Sequence, residues 1–527
     1  MQRPLLHLAR LFFVVLCLAP FAVMLLRVES ADMADLFSAR ILSLLGRTCL
    51  MGLGVATVAL VLGGPFGWLV ARTNVPGAAI LRPLGMVPVL MPPLILAMTW
   101  AVIVPDFRGA PATIAFLGLS TSPLVALFVA RAAERIDGRL EETALQIGGM
   151  RAVLAMELPL LAPAAATGAC LAFAFAVNDF GVPDYVSSVG PKFNVYADEI
   201  KLNWDQYQRP GLAVASALPL VALVLAALLP ALSLRRRGAL ASLGEGFVQP
   251  KTLRLGNWRF GALLFCLCLV AAGTFVPILR LFWEAAAMPQ QLNEHDSLLG
   301  ALSNGGARLV KEFGVALQRA RVDLGNSLVY ASGAALLCAP IGLILGHGIE
   351  RARSARMRFL GESLSLLPIA SPALLFGIGT IALWNHDATA RFYDSGWMAM
   401  LLFAGKYLPF AILISAGAVA ALGRELEESA ALVGASPTRR LVSIVAPSLV
   451  GTLVASLVLV FVFAMRDLDA ALLVPAANKT VIMRVFNGVH FGRDSYVAAL
   501  SLLLLFAILL PGILWSLFAR KRLEILP

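Results

Sequence analysis

The sequence predicts an all-α membrane protein of about twelve transmembrane helices, arranged as two parallel six-helix repeats. Three observations predict it: a composition too apolar for a water-facing surface, apolar runs of spanning length, and clusters of basic residues concentrated in alternate loops. Hydrophobic residues make up 59% of the 527 positions and charged residues only 14%. A soluble chain carries about a quarter charged residues, so this one has too few to clothe a soluble surface. The net charge of +11 does not point to nucleic acid, because the Lys and Arg residues form short clusters between apolar runs. Cys17, Cys49, Cys170, Cys266, Cys268 and Cys338 lie in or beside apolar runs without metal-ligand spacing. They read as small packing residues, and no metal site or cofactor is expected.

A membrane helix needs about 20 mainly apolar residues. Runs of that kind lie near 9–27, 48–70, 84–104, 113–131, 159–177 and 211–233, and again near 260–282, 326–346, 364–383, 398–421, 447–465 and 496–518. Arg3 and Arg10 precede the first run, but Arg27 and Glu29 interrupt any small-x-small cleavage site. The first run is therefore read as a retained span rather than a signal peptide.

Charge sets the orientation. Basic residues gather at the N-terminus (Arg3, Arg10) and after span two (Arg72, Arg82), span four (Arg131, Arg135, Arg139, Arg151) and span six (Arg235, Arg236, Arg237, Lys251). They gather again after span eight (Arg351, Arg353, Arg356, Arg358), after span ten (Arg424, Arg439, Arg440) and in the tail (Arg520, Lys521, Arg522). The intervening loops are mixed or acidic. The positive-inside rule then places both termini and every even-numbered loop in the cytoplasm.

The halves repeat. Pro65-x-Gly67 matches Pro340-x-Gly342, Pro88-x-x-x-Pro92 matches Pro368-x-x-x-Pro372, and Phe173-Ala-Phe175 before Asp179 matches Phe461-Val-Phe463 before Asp467. Six spans per copy give both copies the same direction, a parallel repeat of the kind that encloses a path. The halves are residues 1–240 and 260–527, joined by a cytoplasmic linker over 241–259. Pro88, Pro92, Pro368 and Pro372 are read either as inherited bends or as parts of a moving gate. Asp179 and Asp467 are read either as markers of a cation pathway or as helix caps in outer water. The five histidines are read as scattered and solvated.

Two loops carry the functional signal, each between spans four and five of its half. The first reads Glu141-Glu142-Thr143-Ala144, then Gly148-Gly149 and Leu158-Pro159. The second reads Glu427-Glu428-Ser429-Ala430, then Gly434 and Ala446-Pro447. Each is expected to be a short helix, a glycine turn and a second short helix leading into a span. The acidic pair suits the first helix's N-terminal dipole, and the small residues suit close approach by another protein.

This pattern resembles the EAA loop of ABC-importer permeases, here in a fused two-half form similar to permeases for iron(III), thiamine, phosphonates or polyamines. The resemblance implies that these loops are cytoplasmic coupling helices. It places Glu142, Ala144 and Gly148, with Glu428, Ala430 and Gly434, where an ATPase docks. The first loop departs from the pattern in having Thr143 at the first small position and in being shorter between glycine and proline.

The implied assembly is a permease in the bacterial inner membrane, two copies of a cytoplasmic ABC ATPase and a periplasmic solute-binding protein, importing a small solute with iron(III) favoured. The chain has no GxxxxGK[ST] phosphate loop and no HExxH or GxSxG motif, so it is expected to be no enzyme itself. The alternative is a secondary transporter, which also uses parallel six-helix repeats.

Overall fold

A computed structural model describes residues 3–523 except 30–31, 34–35, 37, 241–247, 289–297, 476–477 and 491–493. Among the described residues no strand forms, and the chain is helical nearly throughout. Among the described residues nine helices are long and apolar enough to cross a membrane, and twelve result if each of three bent pairs counts as one span. Long apolar helices are the answer to a solvent that offers no hydrogen bonds, since a helix pairs its own backbone groups.

The spans lie in Pro4–Leu25, Ala39–Arg72, the bent pair Ala78–Leu90 and Pro93–Ile103, Gly109–Ala133, Gly138–Asn178, whose part before the break at Gly148 and Gly149 is a loop helix outside the span, and Pro210–Leu232. The second set is Trp258–Ala285, Asn304–Glu350, the bent pair Ala355–Ala370 and Ala373–Trp384, Gly396–Ala421, the bent pair Pro437–Ser448 and Val450–Arg466, and Asp494–Ile513. Span eight belongs to a 53-residue helix, Leu298–Glu350, so much of what reads as an outer loop is helical.

Packing divides the chain into two compact units, and they are not the two sequence halves. One unit comprises Leu36–Glu199 and Pro219–Leu281. The other comprises Met1–Asp35, Ile200–Leu218 and Phe282–Pro527. Each half's first span is therefore packed with the other half's helices. In the second unit the Cys17 thiol donates to the Gly405 carbonyl at 3.1 Å, and Gly379 lies against Pro20 and Met24. In the first unit the Thr274 hydroxyl donates to the Leu84 carbonyl at 2.9 Å, and Trp100 Nε1 donates to the Ala272 carbonyl at 3.0 Å. Boundaries at 240 and 260 follow the repeat. Apolar periodicity says that a span must be covered, not which neighbour covers it.

The matched motifs have matched physical roles. A Cβ on Gly67 would stand 2.3 Å from the Ala126 carbonyl oxygen, and one on Gly342 would stand 2.5 Å from Ala411 Cβ. Both glycines let the second span of their half approach the fourth, as small residues do between membrane helices. Pro92 and Pro372 each precede the second piece of a bent pair, with φ near −54° and −53°. The pairs bend by 97° and 96°. Proline supplies no N–H and disfavours helix in the residue before it; Met91 and Ser371 are accordingly extended. Pro88 and Pro368 lie one turn earlier, inside the first piece of each pair.

Candidate functional site

Both loops between spans four and five begin with a helix that is held to its own unit through the first glutamate of the acidic pair. In the first unit Asp137 caps this helix by accepting from the Arg139 amide at 2.9 Å. Glu141 lies one turn in and is buried, and its carboxylate takes a hydrogen-bonded ion pair from Arg72, the last residue of span two. Glu157, fully buried, is the neighbouring acid; its Oε2 accepts from Trp68 Nε1 at 2.5 Å. Among the described residues no donor meets Glu157 Oε1. Burial and hydrogen bonding with Glu157 push the Glu141 carboxyl up to about 7, against the downward pull of Arg72. Two carboxyls thus crowd together where one guanidinium pairs with Glu141, and a retained proton relieves the excess charge.

In the second unit the loop helix spans Glu425–Leu432. Glu427 is its buried acid. His347 Nε2 lies 2.8 Å from one carboxylate oxygen, and Arg351 Nε donates to the other at 2.9 Å. Arg351 also donates to the Leu422 carbonyl at 3.0 Å. Burial favours the neutral acid, but the hydrogen bonds and charge of His347 and Arg351 outweigh it and hold Glu427 below the usual carboxylate range. His347, read from sequence as solvated, is a partner in this cluster.

The second glutamate of each pair points outward. Glu142 and Glu428 are exposed, while Ala144 and Ala430 are half-buried. Beside them stand large apolar side chains that the sequence reading passed over: Ile147 is 79% exposed, Leu432 90% and Val433 84%. Ile147 and Val433 hold the same place, immediately before the glycine. A signal was available, since an apolar residue on an otherwise polar loop marks a contact surface.

The glycine turns differ from the expectation in the first loop. Gly148 leaves the helical conformation at φ −150° and ψ 18°, and the positive φ falls on Gly149, at φ 62° and ψ −151°. That region is open essentially to glycine alone. Beyond it the helix continues unbroken through Pro159 into span five, so no separate second short helix forms there. In the second loop Gly434 takes the positive φ, 80°. The Ala435 amide donates to the Ala430 carbonyl and the Gly434 amide to the Ala431 carbonyl, each at 3.0 Å. This is a Schellman ending, in which a left-handed glycine closes the last turn. Ser436 then caps a new helix by accepting from the Arg439 amide at 3.3 Å, and the chain bends by 78° before Val450–Arg466.

The linker also differs from a bare connection. Residues 241–247 lie outside the described residues, but 248–255 runs along the first loop. The Gly138 amide donates to the Val248 carbonyl at 3.0 Å, the Leu253 amide to the Arg72 carbonyl at 2.8 Å, and Lys251 Nζ to Glu142 at 2.8 Å.

The two aspartates each accept from a backbone amide at the start of the helix that follows. The Val182 amide donates to Asp179 Oδ1 at 2.9 Å, and the Ala470 amide to Asp467 Oδ1 at 3.1 Å. Asp467 Oδ2 also accepts from Lys406 Nζ at 2.9 Å and from the Tyr407 hydroxyl at 2.6 Å. Lys406 lies ten residues inside span ten; read in sequence only as failing the phosphate-loop pattern, it is a signal of another kind, a lysine within an apolar run.

The comparisons agree with this architecture. The family model for the binding-protein-dependent transport system inner membrane component matches residues 63–238 and 339–524. The chain belongs to that family. It is a multi-pass inner-membrane permease of the ABC type. The matches start inside spans two and eight, omitting the first span of each half. The Fe(3+)-transport system permease protein FbpB 2 of Haemophilus influenzae is 23% identical over 495 residues, which is 92% of each chain. The putrescine transport system permease protein PotI of Escherichia coli is 29% identical over 38% of this permease and 73% of its own length. The molybdenum transport system permease protein ModB of Escherichia coli is 28% identical over 27% of this permease and 71% of its own length.

Proposed function

We propose that this permease is the pore-forming subunit of an ATP-driven importer. Its two loop helices are coupling helices that face the cytoplasm, as do both termini, and each docks on one of two ATPase subunits. A periplasmic binding protein delivers the solute. The observation that carries this reading is the repeated surface of the loops: an outward glutamate and a bare aliphatic side chain before a glycine turn, in both copies. Bare aliphatic groups gain by being covered, roughly 1.5–3 kcal/mol for each full burial. Glu142, Ala144 and Gly148, with Glu428, Ala430 and Gly434, form the docking sites together with Ile147, Leu432 and Val433.

The solute favoured is ferric iron, on the likeness to the Fe(3+) permease over 92% of both chains. The bends at Pro92 and Pro372, with Pro88 and Pro368 one turn away, are the places where a gate hinges. Asp179 and Asp467 act there as helix caps that fix the chain direction after spans five and eleven.

Co-purification tests the reading. ATPase subunits should be retained by the native permease and lost from the Glu142→Arg/Glu428→Arg variant. Failure of the native permease to retain any ATPase would end the importer assignment.

A further inference from the structure

The two loop helices share a feature that neither their outward glutamates nor their glycine turns explain. In each unit, the first glutamate of the acidic pair turns inward and meets an arginine at the far end of a preceding span. Arg72 is the last residue of Ala39–Arg72, and its side chain is 3% exposed, as is that of Glu141. Arg351 directly follows the helix Leu298–Glu350, at 17% exposed against 10% for Glu427. The two contacts arise independently in two units; at the 275-residue offset of Pro65 and Pro340, Arg72 corresponds to His347, which also meets Glu427, and Arg351 lies one turn further on. An inward carboxylate of this kind costs desolvation, and a well-packed apolar residue stabilises such a place as well or better. Stability alone therefore gives no reason for both copies to carry it.

We infer that Arg72–Glu141 and Arg351–Glu427 are struts that make each coupling helix and its half's second span move as one body. This rests on the docking reading above and adds positioning residues to it. A charged, hydrogen-bonded pair has directional geometry that apolar packing lacks. It resists sliding of the loop helix along the span end when an ATPase pulls on the exposed face. The second strut is braced twice more: His347 holds the other oxygen of Glu427, and Arg440 Nη1 donates to the Glu427 carbonyl at 3.2 Å. The linker braces the first, since the Leu253 amide donates to the Arg72 carbonyl at 2.8 Å.

The test uses the full-length permease purified with the ATPase that accompanies it. Spin labels replace Leu426 on the coupling helix and Leu336 on span eight; both are exposed, at 54% and 62%. The distance is measured with and without a non-hydrolysable ATP analogue. In the native background it should be the same in both states. In Arg351→Ala, with the ATPase still bound, it should shift on adding nucleotide. The charge swap Arg351→Glu/Glu427→Arg should return it to nucleotide independence, which a merely structural loss would not predict. A distance in Arg351→Ala as fixed as in the native protein overturns the inference, and so does a nucleotide-dependent distance in the native protein. If Arg351→Ala does not fold, the swap decides: a folded swap whose distance shifts with nucleotide overturns it. A native permease that retains no ATPase overturns the docking reading itself, a distinct failure.

Discussion

In the first unit two carboxyls, Glu141 and Glu157, crowd each other and one guanidinium, Arg72, pairs with Glu141; in the second a single carboxylate, Glu427, lies between Arg351 and His347. One strut carries an excess of acid and the other an excess of base. The outer surfaces of the loops are alike, but their attachments are tuned oppositely. On the docking proposed above, a permease with two identical loops would respond to two ATPases symmetrically. This one has different electrostatics beneath similar loop surfaces, so the same substitution should have unequal consequences in the two halves.

The largest expected difference comes from neutralising the inward acid. Glu427→Gln removes the charge that Arg351 and His347 face, leaving a half-buried cation poorly paired, at a cost of up to about 3 kcal/mol. Glu141→Gln instead relieves the crowding with Glu157 and keeps a hydrogen-bonding group for Arg72, so its effect should be near zero. Thermal unfolding of the purified variants in detergent measures both. Equal losses in the two would break the comparison.

The glycines follow. Gly149 sits at φ 62° and ψ −151°, a region that asparagine does not reach easily. Gly434 ends a helix in the left-handed conformation that asparagine tolerates. Gly149→Asn should therefore lose about 1–3 kcal/mol, and Gly434→Asn well under about 1 kcal/mol. The same melting measurement separates them, and a reversed order would show that the first loop turns elsewhere.

How far the loops were legible in sequence follows from what each feature depends on. Spans, the repeat and the acidic loops depend on local composition, so they could be read directly. The exchange of first spans could not, because Pro4–Leu25 carries apolar residues that would suit either half. Lys406 with Asp467 and His347 with Glu427 join residues 61 and 80 positions apart, and their meeting depends on packing. The choice between Glu141 and Glu142 depends on which way a short helix faces. That orientation is set by Arg72 and by the linker at 248–255, neither of which the acidic motif encodes.

The pH dependence sharpens the contrast without any change of size or shape. Glu141 has its carboxyl raised from 4.5 to about 7. Between those values the folded protein keeps a proton that the unfolded chain has lost, so this group's contribution is present at low pH and fades as pH rises through 7. Glu427 is lowered. Its contribution is present above the ordinary carboxylate pKa of about 4.3 and fades as pH falls through its own lower value. Melting temperatures across pH 5 to 8 should lose their downward slope in Glu141→Gln and keep it in Glu427→Gln. A slope that persists in Glu141→Gln would assign the proton to another group.

The smallest effect is expected where the linker crosses the first loop. Lys251 and Glu142 are 84% and 52% exposed, and the 2.8 Å contact between them is bathed in water and screened by salt. Lys251→Ala should leave the melting temperature unchanged. Its consequence belongs to docking instead, because Lys251 occupies the one glutamate of the first loop that faces outward, and no described contact occupies Glu428 in this way. Removing the lysine frees Glu142 and makes the first proposed docking face resemble the second. ATPase retention by the Lys251→Ala permease should rise at moderate salt and converge with the native value at high salt, where the contact is already screened. Retention that falls in the variant would mean that the linker lysine is itself part of the docking face, and that the two loops differ on their outer surfaces as well as beneath them.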